Sequence, residues 1–591
     1  MTGRRPVRIA NCSGFYGDRV AAAKEVVEGG PIDVLTGDYL AELTMLILWK
    51  ARQKNSSAGY AKTFLTQMEQ VLGTCLDRGI RVVANAGGLN PGGLVTELDA
   101  LATRLGLSPR IAYVEGDDLT DRLPELVAAG HPFTNLDTGQ PLDDAGAKPV
   151  TANAYLGGWG IAEALGAGAD IVVCPRVTDA SLVVGPAAWW HGWSRTDYDA
   201  LAGAVAAGHV IECGPQATGG NYSWISEVTD RRYPGFPIAE VAADGSSVIT
   251  KHEETGGLVS PGTVTAQLLY EIQSPDYANP DVVAHFDTIR LEQEAPDRVL
   301  LAGATGSPPP PSLKVAVNFL GGYRNTMTLV LTGLDIEDKA AWARTQLFEI
   351  LGGEDRFDEV DVRLLRFDRE DAQSNEQATA HLRISVKDAD PARVGRRFAN
   401  ATMELALAGY PGFHTTTPPT SESAYGVYWP ALVPVETVTH RLVLPDGDVI
   451  VVPHGPVQEL TSGQRPAPCS SPLPGPTRRV PLGTVCAARS GDKGGNANVG
   501  LWTRTPEAFE WLRGYVTEDR VRELLPEAAG LEVRRWELPN LHALNFVVVG
   551  LLGAGVASST RPDPQAKGLG EYVRSRHVDV PLALLDQEGV Q

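Results

Sequence analysis

The first half of the chain repeats a pattern in which a short apolar run is followed by a glycine-bearing turn and then by apolar residues at helical spacing. The apolar run at residues 80–84 leads into the turn 85–91, after which Leu94, Leu98 and Leu101 recur three or four positions apart. The pattern returns at residues 110–118 and 169–179. Strands that alternate with amphipathic helices are typical of a parallel sheet covered by helices. The sequence therefore predicts an α/β fold with a Rossmann-like parallel sheet.

The pattern changes from about residue 312 onwards. Further strand-like runs alternate there with helical stretches such as residues 339–351, and they lie at residues 313–318, 327–331, 360–367 and 381–386. This mixture predicts an α+β subdomain rather than more of the parallel sheet.

A chain of 591 residues is too long for a single hydrophobic core. The stretch that begins at residue 461 is rich in proline and small polar residues, a composition typical of an extended linker. A compact module of common domain size should follow it. The sequence thus predicts an α/β region at 1–311, an α+β subdomain at 312–460, a linker at 461–478 and a small C-terminal α+β domain at 479–591.

Charge and hydropathy exclude some classes of partner. The formal net charge of −21 and the pI of about 5.0 argue against a protein that neutralises nucleic-acid phosphates or binds an anionic membrane surface. The N-terminal residues enter a strand-like run at 7–10 without the apolar stretch of a signal peptide, and no apolar run has the length of a membrane span. We therefore expect a cytoplasmic protein, with a homo-oligomer left open.

Motifs for metals and nucleotide cofactors are absent from the sequence. The six cysteines stand singly and the histidines are dispersed, which predicts no metal site. No phosphate-binding GxxxxGK[ST] string occurs, and the segment 158–160 lacks the third glycine of a dinucleotide fingerprint. We expect no nucleotide or NAD cofactor, while CoA stays a candidate as part of the substrate.

Several strings occur in an order that resembles the acyclic terpene utilisation (AtuA-like) family. They lie at residues 13–19, 37–44, 85–91, 154–158, 212–220, 250–257 and 267–272. Residues 488–500 and 538–546 resemble the small ferredoxin-fold-like domain that many members carry at the C-terminus, although the segment 552–567 departs from its glycine-richer form. The resemblance implies a setting in the degradation of citronellol- and geraniol-type acids through CoA thioesters.

Polar residues follow the strand-like runs of the first half, where an open parallel sheet binds its ligands. They are Asp18, Asp38, Asn85, Asn153, Arg176 and Asp179. We predict Asn85, Asn153 and Arg176 as substrate-binding residues and Asp179 as a catalytic one. The alternative is that Asp and Asn cap helices or build turns at these places.

The segment 212–221 concentrates reactive side chains after the strand-like run 209–211. We predict Glu212 as a general acid or base, a role that burial would favour by raising its pKa, and Gln216 as a substrate-binding residue. Cys213 is a candidate nucleophile, but a cysteine with no identified histidine partner is more often a packed residue. Glu212 is therefore preferred.

Two further groups of charged residues are candidates. Lys251 can bind a carboxylate and His252 can shuttle a proton; the alternative is an exposed turn. In the C-terminal part, Arg489 and Lys493 belong to a glycine-rich segment predicted as a loop between strand-like runs at 480–487 and 499–502. They can pair with an anionic group such as the phosphates of CoA, or the segment is only a tight loop.

These candidates predict an enzyme that acts on a branched or polycarboxylic acid, or on its acyl-CoA thioester, as a hydratase or dehydratase. The loops 85–93, 176–179 and 212–221 should surround one pocket, in which Arg176 orients the substrate carboxylate and Glu212 exchanges a proton. Two alternatives stay open: a noncatalytic binding subunit of a carboxylase-type assembly, and a natural-product tailoring enzyme on the same scaffold.

The proline-rich segment gives a test of the predicted domain division. Proline cannot support a continuous hydrogen-bonded element, so limited proteolysis of the folded protein should cut first within residues 466–476. Mass spectrometry of the first fragments checks this. First cleavage within residues 85–93, or resistance until global unfolding, would contradict the boundary.

Overall fold

The computed structural model describes residues 4–460 and 475–587. Most of the predicted linker, residues 461–474, lies outside the described residues, and the four-part division of the chain stays a prediction. By their contacts the described residues form two units, one made of residues 4–318, 428–460, 475–556 and 563–587, the other of residues 319–427 and 557–562.

The part of the chain before residue 312 alternates strands and helices as the sequence pattern predicts. Its elements are β1 (Val7–Asn11), α1 (Ala22–Gly29), β2 (Val34–Gly37), α2 (Glu42–Lys54), α3 (Lys62–Arg78), β3 (Arg81–Ala84), α4 (Pro91–Leu105), β4 (Ile111–Glu115), α5 (Leu123–Ala128), β5 (Pro149–Ala154), α6 (Trp159–Gly166), β6 (Ile171–Val173), α7 (Ser181–His191), α8 (Tyr198–Ile211), β7 (Pro237–Val241), β8 (Ser247–Lys251), α9 (Pro261–Leu268), β9 (Asp276–Ala278), β10 (Val283–His285), β11 (Arg290–Ala295), β12 (Arg298–Ala302) and β13 (Thr305–Ser307).

The later elements fall on either side of the proline-rich segment. Those before it are β14 (Ser312–Thr332), α10 (Ile336–Leu351), β15 (Glu359–Arg366), β16 (Thr379–Asp388), α11 (Pro391–Val394), α12 (Arg396–Ala408), β17 (His414–Thr415), β18 (Ser423–Pro434), β19 (Arg441–Val443) and β20 (Val449–Val451). Those after it are β21 (Thr477–Pro481), β22 (Ala487–Lys493), β23 (Asn496–Trp502), α13 (Pro506–Tyr515), α14 (Glu518–Leu524), β24 (Val533–Leu538), β25 (Ala543–Val548), α15 (Leu569–Ser575), β26 (His577–Pro581) and α16 (Leu582–Gln587).

The main sheet of the first unit has a parallel centre with antiparallel extensions. Its strand order is β11-β12-β8-β7-β1-β2-β3-β6-β4-β19-β20, and β1, β2, β3, β6 and β4 run parallel. Helices α1, α3 and α4 bury apolar side chains against one face, among them Phe64, Met68 and Leu98. Helices α6, α7 and α8 cover the other face. The predicted α/β fold with a helix-covered parallel sheet is confirmed.

The C-terminal part of the first unit contains a separate antiparallel sheet with the order β22-β23-β25-β24. Helices α13 and α14 pack on it through buried residues such as Phe509, Leu512 and Leu524, and β21 pairs with β26. This is the predicted small C-terminal α+β domain. In the second unit, β15, β16, β14 and β17 form an antiparallel sheet in that order, which α10 and α12 cover through a common core.

Two local predictions are wrong. The run 209–211 is the last turn of helix α8, because this helix is buried along nearly its whole length and a short all-apolar run does not distinguish a strand from a buried helix. The second error is the glycine-rich loop that was predicted to carry Arg489 and Lys493. Both residues lie in strand β22, which pairs with β23, so the glycines are strand and hairpin positions rather than a long loop.

Asn153 also lies within strand β5 rather than after a strand. Among the described helices, none has both the length and the apolar character needed to span a bilayer.

Candidate active site

The neighbouring parallel strands β2, β3 and β6 deliver polar residues to one edge of the main sheet. Asp38, Asn85 and Arg176 follow the ends of these strands, and the carboxyl ends of parallel strands share an edge. The Asn85 side chain donates through Nδ2 to Asp38 and accepts, through Oδ1, the backbone N–H of Tyr39 at 2.7 Å. Strand order therefore brings the predicted residue Asn85 to Asp38.

Arg176 forms the centre of this cluster. Its side chain is only 4% exposed, and Nη1 lies 3.1 Å from Oδ1 of Asp179. Nη1 also donates to the carbonyl of Leu40 at 3.2 Å, and the guanidinium stacks on the ring of Tyr155 at 4.3 Å. Burial alone would lower the pKa of Arg176, but Asp179, Tyr155 and Asp38 raise it above its ordinary value. A permanently charged guanidinium thus sits at the end of β6, and its Nε has no hydrogen-bond partner within residues 4–460 and 475–587.

Asn153 reaches the same region through Asp117. Its Nδ2 donates to Oδ2 of Asp117 at 2.8 Å, and that oxygen also accepts the backbone N–H of Arg176 at 3.3 Å. Burial, and next the charge of Asp118, raise the pKa of Asp117 to about 7. Asn153 therefore supports the backbone of Arg176 through a buried carboxyl group.

Glu212 follows the C-terminus of helix α8 and has a side chain that is 9% exposed. Its Oε1 lies 3.1 Å from Nδ1 of His209. Burial, and next the charges of Asp179 and Glu271, raise the pKa of Glu212 well above its ordinary value, and the negative end of the helix dipole acts in the same direction. Burial and Lys493 lower the pKa of His209 to about 4, so at neutral pH the ring is neutral and does not form an ion pair.

Two further groups around Glu212 have pKa values raised above their ordinary range. Burial, and then the charge of Asp179, raise the pKa of Asp38 well above its ordinary range. Burial, and then Glu212, do the same for the thiol of Cys213, which makes this cysteine a poor nucleophile because the thiolate is the reactive form. In the described part of the chain, Oε2 of Glu212 is buried and lacks a hydrogen-bond partner, so the hydrogen-bonding capacity of this oxygen is unused.

The C-terminal domain contributes cations to the same region. Arg489 donates to Oε1 of Gln216 and stacks on the ring of Tyr270 at 4.2 Å. Lys493 acts electrostatically on both Glu212 and His209. Arg489 thus contacts Gln216 and Tyr270, and the charge of Lys493 acts on Glu212.

The structure also places residues in the cluster that sequence reasoning left without a role. Lys567 Nζ lies 3.6 Å from Oε1 of Glu271 and 3.9 Å from Oδ1 of Asp492, and it donates to the hydroxyl of Tyr270. Tyr270 and Glu271 belong to the segment 267–272, one of the strings that resemble the family. This resemblance was the signal in the sequence that could have pointed to them. Lys567 lies in a segment that departs from the family pattern and gave no such signal.

Lys251 and His252 make their contacts elsewhere. Lys251 pairs with Asp297 at 3.0 Å, and the ring of His252 bonds to the carbonyl of Val26 at 2.8 Å. Strand β8, which ends at Lys251, lies five positions from β6 in the sheet order, and at about 4.8 Å per strand this is roughly 24 Å. A position at the end of a strand is therefore not enough to bring these two residues to Arg176.

The described residues show no grouping of three or more His, Cys, Asp or Glu side chains that could hold a metal ion. The site combines buried carboxyl groups whose pKa values are raised, a buried guanidinium, and Lys567 at 3.6 Å from Glu271. Such a set can bind an anion and exchange a proton with it.

Comparison with protein families assigns the chain to a family. The model described as acyclic terpene utilisation family protein AtuA matches residues 7–444. The chain belongs to this family. A second model, the AtuA ferredoxin-like domain, matches residues 480–579, which confirms the resemblance inferred from the sequence and the nature of the C-terminal domain. Family membership suggests a part in acyclic terpene utilisation. None of the curated proteins compared with this chain matches it in sequence.

The buried carboxyl of Asp117 gives a prediction for stability. Because its pKa rises from an ordinary value near ~4 to about 7 in the folded protein, the folded state holds a proton that the unfolded state has lost in this interval. The free energy of unfolding should therefore fall as the pH rises through the interval. Asp117→Asn removes this loss and should gain roughly 2–4 kcal/mol relative to wild type between pH ~4 and ~8.

Denaturant titrations across this pH range measure the effect. Asp121, like Asp117, lies between strand β4 and helix α5, but it is exposed. Asp121→Asn is therefore the matched control, and its free energy of unfolding should follow that of wild type across the pH range. Parallel curves for Asp117→Asn and wild type would contradict the raised pKa.

Proposed function

We propose that this protein is an enzyme that exchanges a proton next to a carbonyl group in a branched or polycarboxylic acid, or in its CoA thioester, with addition or loss of water. The observation that carries the proposal is the Glu212 carboxyl group, which is buried, has a raised pKa and keeps an oxygen without a hydrogen-bond partner in the described chain. A raised pKa lets a carboxyl group hold its proton to higher pH, which suits it to general acid catalysis.

The neighbours of Glu212 suit an acid substrate. Arg176 carries a permanent charge close to Asp179 and offers Nε as a free donor among the described residues. A guanidinium binds a carboxylate through paired N–H donors. We assign Arg176 to the binding of the substrate carboxylate. Asp179 holds the guanidinium of Arg176, and its negative charge favours the protonated form of Glu212.

The cations of the C-terminal domain support an anionic group at the other end of the substrate. Arg489 bonds to Gln216, and the charge of Lys493 lowers the pKa of Glu212. Cationic side chains of this kind pair with carboxylate or phosphate oxygens. A CoA thioester carries phosphates and a free acid carries a second carboxylate, and both fit these cations. We assign Gln216, Arg489 and Lys493 to this second anionic group.

The activity is tested with a panel of enoyl- and 3-hydroxyacyl-CoA esters and the corresponding free acids. Mass spectrometry detects a change equal to one water molecule. Conversion of a branched member supports a hydro-lyase. No conversion across the panel, together with stable copurification of a carboxylase-type protein, would instead favour a noncatalytic binding subunit.

Glu212→Gln is the decisive variant. Glutamine keeps the shape of the side chain but cannot donate the acidic proton, so kcat should fall by about 10²- to 10⁴-fold, with a smaller change in KM. Steady-state kinetics on the converted ester measure both constants. Glu69→Gln, on the exposed face of helix α3, is the matched control and should leave kcat unchanged. A folded Glu212→Gln protein with wild-type turnover would remove Glu212 from the mechanism.

A further inference from the structure

Two asparagines of the C-terminal domain form hydrogen bonds to the backbone of the segment that follows helix α9. Asn498 accepts the backbone N–H of Glu271 through Oδ1 at 2.9 Å and donates through Nδ2 to the carbonyl of Ile272 at 3.3 Å. Asn545 donates to the same carbonyl at 3.2 Å. Both asparagine side chains are fully buried. The backbone of Glu271 and Ile272 thus bonds to a sheet that lies more than 200 residues later in the chain.

The same sheet has two glycines where the segment approaches. A Cβ atom at Gly500 would lie 2.6 Å from Cβ of Leu269, and one at Gly491 would lie 2.4 Å from the ring of Tyr270. Gly491 pairs with Asn498, and Gly500 pairs with Asn545. Adjacent positions of the sheet therefore leave room for the segment and bind its backbone.

Glu271 adopts a backbone conformation that a non-glycine residue rarely takes. Its φ is +57°, in the left-handed region where the Cβ atom is crowded. Such residues persist when the surrounding structure holds them, and they cluster at functional sites. The bonds from Asn498 to both sides of Glu271 supply that restraint. The side chain points to Lys567, whose Nζ is 3.6 Å away.

We propose that Glu271 is a second catalytic residue, the base that acts opposite Glu212, and that Asn498 and Asn545 are positioning residues that hold it in place. This inference rests on the proposed function and supplies the base that the proposed reaction needs beside the acid Glu212. An acid that enters the reaction protonated needs a partner that enters it ionised.

The charges around Glu271 favour the ionised form. The groups that face it are Lys567, Lys493, Tyr270, His209, Glu212 and Asp492. Burial alone would raise the pKa of Glu271, but Lys567 and then Lys493 lower it below the ordinary value, whereas the pKa of Glu212 is raised. Two carboxyl groups whose environments separate their pKa values are suited to the roles of base and acid.

The proton balance of a dehydration follows from these roles. The Glu271 carboxylate takes the proton from the carbon next to the carbonyl, and the electron pair of that C–H bond forms the C=C bond. The C–O bond of the neighbouring carbon breaks, and the hydroxyl leaves as water with the proton of Glu212. One proton passes from Glu271 to solvent and one returns to Glu212, so hydration is the same path in reverse.

Glu271→Gly separates the side chain from the backbone strain. Glycine accepts the left-handed conformation at no steric cost, so Tm should be unchanged or higher, while turnover of the panel ester should fall about 10²-fold or more. Glu254→Gly is the matched control, because Glu254 is an exposed glutamate with a φ of +62°. It should keep full turnover. A folded Glu271→Gly protein with turnover near wild type would overturn the catalytic role, and if it fails to fold, the isosteric Glu271→Gln variant decides.

Asn498→Ala tests positioning in the full chain. Without the hydrogen bonds from Asn498, Glu271 should move away from the lysines, and its pKa should rise to the ordinary value. The acidic limb of the kcat-pH profile should therefore shift to higher pH. A purely structural role would lower the fraction of folded protein without moving the profile. An unmoved profile in a folded variant would overturn the positioning role.

Infrared difference spectra distinguish a failure of this inference from a failure of the proposed function, because they need no substrate. At neutral pH, Glu212→Gln should remove a protonated carboxyl band and Glu271→Gln a carboxylate band. If the wild-type protein converts no panel compound, the proposed function fails. The spectra alone then test whether Glu212 is protonated and Glu271 is ionised. An ionised Glu271 that titrates at higher pH in Asn498→Ala supports this inference, and a protonated Glu271 in wild type overturns it.

Discussion

The charge of Arg176, buried at the end of a central strand, is the constraint on which the rest of the site depends. A guanidinium with a 4% exposed side chain is costly unless carboxylates and hydrogen-bond acceptors compensate it. Asp179, the carbonyl of Leu40 and the face of Tyr155 do so. Burial, and then the charge of Asp179, raise the pKa values of Asp38 and Glu212 against the opposing charge of Arg176. The chemistry proposed for Glu212 is thus a consequence of the packing that holds Arg176.

The second constraint is that the ferredoxin-like domain is built into the site. Its lysines and Arg489 face carboxyl and amide groups that come from the α/β region, and its asparagines bond to the backbone of Glu271. A domain that only docked a partner protein would not need buried polar side chains directed at its own N-terminal region. The composite site proposed for this protein therefore draws on residues of both parts of the chain.

Sequence reasoning could predict the part of the site that depends on strand order. Asn85 and Arg176 follow parallel strands, and parallel strands bring such residues together whatever the details of packing. The reactive residues around Glu212 predict its role, although the run before it, residues 209–211, is the end of a helix rather than the predicted strand. Glu271 and Lys567 could not be predicted in this way, because they reach the cluster through packing between segments more than 200 residues apart. Lys251 shows the converse, since a residue at the end of a strand is remote from the cluster when its strand lies far along the sheet.

The distribution of charge is compatible with the anionic substrate proposed for this acidic protein. The net charge of −21 repels anions at long range, but salt screens this repulsion beyond a Debye length of roughly 8–10 Å. Partly buried charges are screened much less, so the cations near Glu212 act at close range with most of their strength. Lys493 and Lys567 lower the pKa of Glu271 by the same field that would attract an anion. Binding of the anion would reduce that field and raise the pKa of Glu271, which makes the carboxylate a stronger base once the substrate is in place.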